Sequence, residues 1–150
     1  MKNFFKPALL CLLFMAVGCQ QSVLNINNNY SEGFYLLDAK TARNASVNEM
    51  EELHKSGDII YIEGNGSSFT LESDSNSENA FEKYKKGDDY IFCFVSDKAL
   101  EKAKADKTKP VYDTTVMNWK MQNLTEISIE IRKVKGKPDY QLSAISKTGF

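Results

Sequence analysis

The chain has 150 residues, of which 42% are hydrophobic and 26% are charged, and its 19 basic residues nearly balance its 20 acidic ones. This length and composition predict one globular domain with a modest core. The charge balance argues against general nucleic-acid binding, which requires a concentrated basic face. One histidine and three cysteines offer no His/Cys cluster, so we expect no metal and no other cofactor.

The first nineteen residues carry the features of a signal peptide in the usual order. Two lysines precede an apolar run over residues 7–17, and the small residue Gly18 precedes Cys19. The run is too short for a membrane-spanning helix, which needs about twenty apolar residues to cross a hydrocarbon core of about 30 Å. We therefore predict a cleaved signal peptide at residues 1–18.

This stretch resembles the secretion signal of bacterial lipoproteins, in which the cysteine after the cleavage point is diacylated, cut free and N-acylated. The resemblance implies that Cys19 carries fatty acids such as palmitate and anchors the mature chain to a membrane of the cell envelope. Gln20 stands where aspartate would retain such a protein, which implies the outer membrane, facing the periplasm. A secretory signal that releases a soluble protein is the alternative, and the Gly18–Cys19 pair favours the lipoprotein.

Charge is distributed unevenly along the mature chain. Residues 20–96 carry 6 bases and 13 acids, whereas residues 97–150 carry 11 bases and 7 acids. The acidic first part could steer the approach of a basic partner, because charged surfaces raise association rates. The alternative is that both parts present ordinary solvated faces.

Residues 19–32 are polar and rich in asparagine, and they show no usable hydrophobic period. This pattern predicts a lipidated cysteine followed by a flexible tether. A single domain is predicted at residues 33–150, and it begins with an apolar strand at residues 33–38.

The clearest helix signal in the mature chain lies at residues 46–57. Ser46 and Glu49 have the spacing of a capping box, an apolar residue recurs on one face, and Gly57 suits a left-handed C-cap. The next segment, residues 58–63, is apolar on both faces and is typical of an internal strand. The turn at residues 64–66 predicts a β-hairpin with residues 67–72.

The second half of the chain alternates in the same way between strand and helix patterns. A wholly apolar strand is predicted at residues 90–95, and a helix capped by Ser96 is predicted at residues 97–106. Three more strands are predicted at residues 115–121, 126–132 and 140–145. The last two of these are expected to form a hairpin. Strands outnumber helices. We therefore predict an α+β fold, with a mainly antiparallel β-sheet of five to seven strands and two or three short helices on one face.

Candidate catalytic residues are few. Cys93 stands between Phe92 and Phe94, where a thiol behaves as a small buried hydrophobe with little thiolate. His54 lies near a helix end among charged residues. A thiol enzyme would require the fold to bring Cys93 and His54 together. We therefore do not expect an enzyme.

These considerations leave binding as the leading hypothesis. We expect a non-enzymatic envelope lipoprotein that binds another protein, with an inhibitor or immunity-like role in the periplasm. Glu49, Glu51 and Glu52, which cluster on the first predicted helix, are the candidate partner-binding residues. A structural or assembly lipoprotein of an envelope complex is the alternative, and a thiol enzyme that uses Cys93 is the third.

Overall fold

A computed structural model describes residues 22–73, 82–87, 89–118, 124–136 and 139–148. The strands are β1 (Ser22–Asn28), β2 (Phe34–Asp38), β3 (Ile60–Ile62), β4 (Ser67–Ser73), β5 (Lys85–Lys86), β6 (Asp89–Ser96), β7 (Asp113–Asn118), β8 (Leu124–Lys133) and β9 (Tyr140–Thr148). The helices are α1 (Ala39–Asn44), α2 (Val47–Ser56) and α3 (Asp97–Asp106), and a 3₁₀ turn spans Glu82–Tyr84. The predicted signal peptide, Cys19 and positions 119–121 of one predicted strand lie outside these ranges.

The predicted α+β class is confirmed, and the strands are divided between two sheets. The first sheet has the order β4-β1-β8-β9, in which β1 is parallel to β8 and the other neighbours are antiparallel. The second sheet is antiparallel and contains β3, β2 and β6 as successive neighbours. The opposite edge of β6 pairs with β7, and β5 continues beyond β2 along the shared edge.

Two apolar cores hold three layers together. The core between the sheets is formed by Leu24, Ile26, Ile127, Ile129 and Ile131 from the first sheet and by Phe34, Leu36, Ile62, Phe92 and Phe94 from the second. The second core lies between the second sheet and the helices and includes Leu37, Cys93, Val95, Met50, Leu100 and Ala103. The helices thus cover one face of the second sheet, as predicted. Each fully buried Leu, Ile or Phe side chain contributes about 1.5–3 kcal/mol to this packing.

The long apolar run in β6 follows from its place in the middle layer. Successive side chains of a strand point to opposite faces. Phe92 and Phe94 therefore enter the core between the sheets, while Cys93 and Val95 enter the core beneath the helices. Because both faces of β6 are covered, neither can carry solvated polar side chains in this stretch.

The flexible tether predicted for residues 19–32 is wrong from residue 22 onwards. Residues 22–28 form β1, an interior strand of the first sheet that pairs with β4 on one side and β8 on the other. Leu24 and Ile26 are fully buried and alternate with asparagines on the outer face. This period of two was present in the sequence. The asparagines obscured it, because they are depleted in strands.

Asn28 is the buried polar residue that fixes the end of β1. Its side-chain amide donates to the carbonyl oxygens of Glu32 at 2.7 Å and Glu63 at 2.8 Å. Its Oδ1 atom accepts from the backbone nitrogen of Tyr30 at 3.1 Å. Since each of these hydrogen bonds satisfies a group removed from water, the asparagine stabilises the connection between the two sheets.

The hairpin predicted across residues 64–66 does not form. Asn65 and Gly66 adopt positive φ angles of 63° and 90°, so the turn itself was predicted correctly. However, β3 pairs with β2 and β4 pairs with β1, so the turn carries the chain from one sheet to the other. Within the described ranges, β2 is the only neighbour of β3. The prediction of an internal strand at residues 58–63 is therefore wrong, and β3 is an edge strand.

The two helices predicted from capping signals are confirmed. Ser46 and Glu49 form the capping box of α2, and Gly57 ends that helix with a φ of 83°. Ser96 caps α3 by accepting from the backbone nitrogen of Ala99 at 3.1 Å. The hairpin of β8 and β9 is also confirmed.

Helix α1 was not predicted. Its N-cap is Asp38, whose Oδ1 atom accepts from the backbone nitrogens of Lys40 at 2.8 Å and Thr41 at 3.0 Å. Aspartate is a favoured N-cap residue, so the local signal for a helix was present. The helix has only six residues, which is too short to show a hydrophobic period.

Candidate functional site

A cleft opens between α1, α2 and the segment Glu82–Lys86, and we call it the α1 cleft. Its larger part has a volume of about 800 Å³, and an adjoining smaller part has about 370 Å³. Asp38, Lys40, Asn44 and Lys83 line both parts. Connected lobes of this size could accommodate a small ligand or a side chain of a partner.

Four cationic side chains line the smaller part, which we call the basic end of the α1 cleft. Lys40 and Arg43 are three residues apart and therefore share one face of α1. Lys83 belongs to the 3₁₀ turn and Lys86 to β5. The carboxylate that lines this part, Asp38, already caps α1. The basic end thus favours an anionic group.

Tyr84 also lines the basic end, although its side chain is almost fully buried in the core between the sheets. Its ring packs against Phe92, with 5.1 Å between the centroids. Burial raises the pKa of Tyr84, and the nearby charge of Asp38 raises it further, so the phenol stays protonated at neutral pH. Its hydroxyl has no hydrogen-bond partner among the residues that the structure describes. An unsatisfied buried hydroxyl costs about 1–3 kcal/mol.

The three glutamates predicted to contact a partner do not lie on one surface. Glu49 and Glu52 line the larger part of the α1 cleft. Glu51 instead forms an ion pair with Lys104 of α3, with 3.0 Å between Oε1 and Nζ. Both side chains of this pair are about half exposed, so solvent screening weakens the attraction between them. Glu51 is therefore engaged in a contact between α2 and α3.

Glu49 serves the fold as well as lining the cleft. Its Oε2 atom accepts hydrogen bonds from the backbone nitrogen and from the hydroxyl of Ser46, both at 2.7 Å. These hydrogen bonds lower the pKa of Glu49. Among the three predicted glutamates, Glu52 alone has no hydrogen bond or ion pair within the described residues.

The structure does not bring Cys93 and His54 together. Cys93 is buried, and its Sγ atom lies 3.9 Å from the hydroxyl of Thr114. Burial raises the pKa of the Cys93 thiol, which disfavours the thiolate. His54 lies elsewhere, with its ring centroid 5.5 Å from that of Tyr35 and 5.8 Å from that of Tyr61.

The contacts of His54 belong to a cluster that the sequence did not reveal. Tyr35 and Tyr61 lie opposite each other on β2 and β3, with 4.7 Å between their ring centroids. The hydroxyl of Tyr61 donates to Asp97 at 2.8 Å. Burial and this carboxylate raise the pKa of Tyr61 to about 12. The cluster joins β2, β3, α2 and the first turn of α3.

A second feature missed in the sequence is an apolar surface beside β7. Val111 is 76% exposed, Val116 is 55% exposed and Tyr112 is 36% exposed. In the described part of the chain, β7 pairs with β6 alone. We call the side of β7 that faces away from β6, together with Val111, Tyr112 and Val116, the β7 edge. The pattern Val111–Tyr112 directly after Pro110 was the available signal.

The described residues lack two other features. They contain no group of three or more His, Cys, Asp or Glu side chains placed to hold a metal ion. They also contain no helix with the length and apolar character needed to cross a membrane. Comparisons with protein-family models, with curated proteins and with solved structures gave no significant match.

Proposed function

We propose that this chain is a non-enzymatic, lipid-anchored protein of the bacterial cell envelope that binds another protein, with an inhibitor or immunity-like role. The signal-peptide pattern and the Gly18–Cys19 pair support the anchor, and Gln20 supports the outer membrane, facing the periplasm. The observation that carries the binding role is the β7 edge, where apolar side chains are exposed beside a strand that pairs on one side only among the described residues.

An open strand edge is a ready site for recognition of an extended segment of another protein. Its outward backbone N–H and C=O groups can extend the sheet, and adjacent side chains select the partner. Proteins commonly guard such edges with charges, prolines or bulges. At the start of β7, Asp113 accepts a hydrogen bond from the hydroxyl of Tyr140, so this side chain is already engaged. Val116 lies further along the strand, where its exposed side chain gives an incoming strand an apolar contact.

The acids of α2 have a separate role in this proposal, which is to steer the approach of a basic partner. Charge at the rim of an interface acts mainly on the rate of association. Glu52 is exposed and is not committed to a contact in the described residues, whereas Glu49 and Glu51 also hold contacts within the chain. Glu52 is therefore the position at which a change of charge tests steering with least effect on the fold.

Photo-crosslinking in cells tests whether the β7 edge binds a protein. A photoreactive amino acid at position 111 should give a discrete adduct with another envelope protein. Val116→Lys should remove that adduct, because it places a charge against the incoming strand. Ile145→Lys is the matched control, since Ile145 is a 62% exposed apolar residue on β9. An adduct that persists in Val116→Lys at the wild-type level would refute binding at this edge.

A further inference from the structure

The strand registers define a common end of the first sheet, which we call the β1-start end. Ser22, at the start of β1, pairs with Ser73 at the end of β4. The parallel neighbour β8 starts at the same end, since Val23 pairs with Glu126. β9 finishes there, because Thr148 pairs with Leu124.

Contacts between the sheets place the basic end of the α1 cleft at this same end. Phe34, at the start of β2, packs edge-on against Tyr140, with 4.6 Å between the ring centroids. Tyr140 pairs with Lys133 at the opposite end of the first sheet. β2 therefore starts at the opposite end of the first sheet, so its last residue, Asp38, lies on the side of the β1-start end.

The pairing of β6 extends this relationship to the lysines. Asp38 pairs with Phe92, and Lys86 pairs with Asp89, which is three residues closer to the start of β6. Lys86 thus lies at the β1-start end. Lys40 and Arg43 follow Asp38 directly on α1, and Lys83 lines the same cleft. The four cations of the basic end outnumber the carboxylates of Asp38 and Asp89. Glu72 and Glu126 lie at the same end of the first sheet, next to the start of β1.

The chain between the anchor and the domain is short. Two residues separate Cys19 from Ser22, and three residue steps of extended chain span about 11 Å at most. If Cys19 carries lipid, the β1-start end is held within that distance of the membrane surface. This is close to the Debye length of about 8 Å at physiological ionic strength, within which an anionic surface attracts basic residues.

We propose that the basic end of the α1 cleft docks on anionic phospholipid headgroups, so that the β1-start end rests on the membrane. This proposal rests on the lipid anchor at Cys19 and adds a surface and an orientation to it. Lys40, Arg43, Lys83 and Lys86 supply the charge, and the short link supplies the proximity. The Asn28 end of β1, with its contacts between the sheets, points away from the lipid.

Fluorescence quenching on vesicles tests the orientation. The mature lipidated protein, in a Cys93→Ala background, carries a fluorophore at Ser73→Cys or at Ser31→Cys. Ser31 follows β1 at the opposite end and is the matched control. In vesicles that contain phosphatidylglycerol and a headgroup-attached quencher, the label at position 73 should be quenched several-fold more than the label at position 31. Equal quenching at both positions would overturn the orientation.

Charge variants test the role of the lysines. The double variant Lys83→Gln/Lys86→Gln should lower the ratio of docked to undocked protein about fivefold for each charge removed, about 25-fold in all. Lys133→Gln/Lys135→Gln removes the same charge from exposed residues at the opposite end and should leave the ratio unchanged. Identical behaviour of the two double variants would overturn headgroup docking.

Two further measurements separate the possible causes of failure. Flotation with the vesicles reports the anchor alone, so protein that floats without differential quenching is anchored but not docked. Protein that does not float indicates failure of the lipid anchor. Inorganic phosphate is added at constant ionic strength to test for a soluble ligand. Release of the docked protein by phosphate but not by chloride would assign the basic end to a free anion and overturn the membrane contact.

Discussion

The hydroxyl of Tyr61 donates to the carboxylate of Asp97 at 2.8 Å, and the same Oδ2 atom accepts from the backbone nitrogen of Gly33 at 3.0 Å. One carboxylate thus links the edge strand β3, the residue before β2 and the first turn of α3. The backbone of Asp97 also donates to the carbonyl of Gly33 at 3.0 Å, which closes a reciprocal pair. The Cα atom of Gly33 lies close to this contact, because a Cβ atom at this position would lie 2.0 Å from the Tyr61 hydroxyl oxygen.

Tyr61→Phe should therefore destabilise the fold by about 1–2 kcal/mol, because it removes a hydrogen bond to a carboxylate. The pKa of Tyr61 is raised from 10.0 to about 12, so its protonated form is favoured in the folded state. The corresponding stability is fully present below pH 10 and is lost as the pH rises from 10 through 12. Urea unfolding of both proteins at pH 7 to 11 measures this. An identical loss of stability in wild type and Tyr61→Phe above pH 10 would contradict it.

Tyr84→Phe should have the opposite effect. The Tyr84 hydroxyl is buried with no partner among the described residues, so its removal relieves a desolvation cost without breaking a hydrogen bond. We expect the free energy of unfolding to rise by about 1 kcal/mol, with an unchanged urea m-value. Tyr61→Phe serves as the control for loss of a hydroxyl that has a partner. A loss of stability in Tyr84→Phe would show that this hydroxyl has an essential contact.

Cys93 should be unreactive in the native protein, because it is buried and its thiol pKa is raised by burial. A polar thiol reagent should label it only after denaturant is added. Cys93→Ser should lower the stability by about 1–3 kcal/mol, since it places a hydroxyl among apolar neighbours. Rapid labelling of the native protein would restore the hypothesis of a thiol enzyme.

Cys19→Ala tests the lipid anchor in cells. The variant should accumulate as an unprocessed precursor and should incorporate no labelled palmitate, because acylation requires the cysteine sulfur. Cys93→Ala is the matched control and should be processed and labelled like the wild type. A Cys19→Ala variant that matures and still partitions into detergent would contradict lipidation.

Charge reversal on α2 tests electrostatic steering. Glu52→Lys should slow the association of a basic partner captured at the β7 edge and weaken its dependence on salt, while dissociation changes little. Glu51→Lys should have the same kinetic effect and should also break the ion pair with Lys104, with little loss of stability because this pair is exposed to solvent. Association kinetics at two ionic strengths decide the question. If the association rate responds neither to salt nor to charge reversal, steering is contradicted, and the acids serve only to keep the surface soluble.

Local sequence was sufficient wherever an element depends on residues close to it in the chain. The capping box of Ser46 and Glu49 predicted α2, and Ser96 predicted α3, because these hydrogen bonds join residues only three positions apart. The hairpin of β8 and β9 followed from a short turn between two alternating segments. The positive φ of Asn65 and Gly66 was likewise a property of the turn itself.

Tertiary structure decided every relationship between distant residues. The pairing of β1 with β8 joins residues about 100 positions apart, and it turned a predicted tether into an interior strand. The basic end of the α1 cleft unites Lys40 and Arg43 with Lys83 and Lys86, which no spacing in the sequence connects. Likewise, Glu51 meets Lys104 only because α2 and α3 pack on the same sheet face. Such contacts depend on which apolar faces pack together. The free energy gained by burying apolar area does not depend on how far apart two residues are in the sequence, so local sequence patterns do not predict which faces meet.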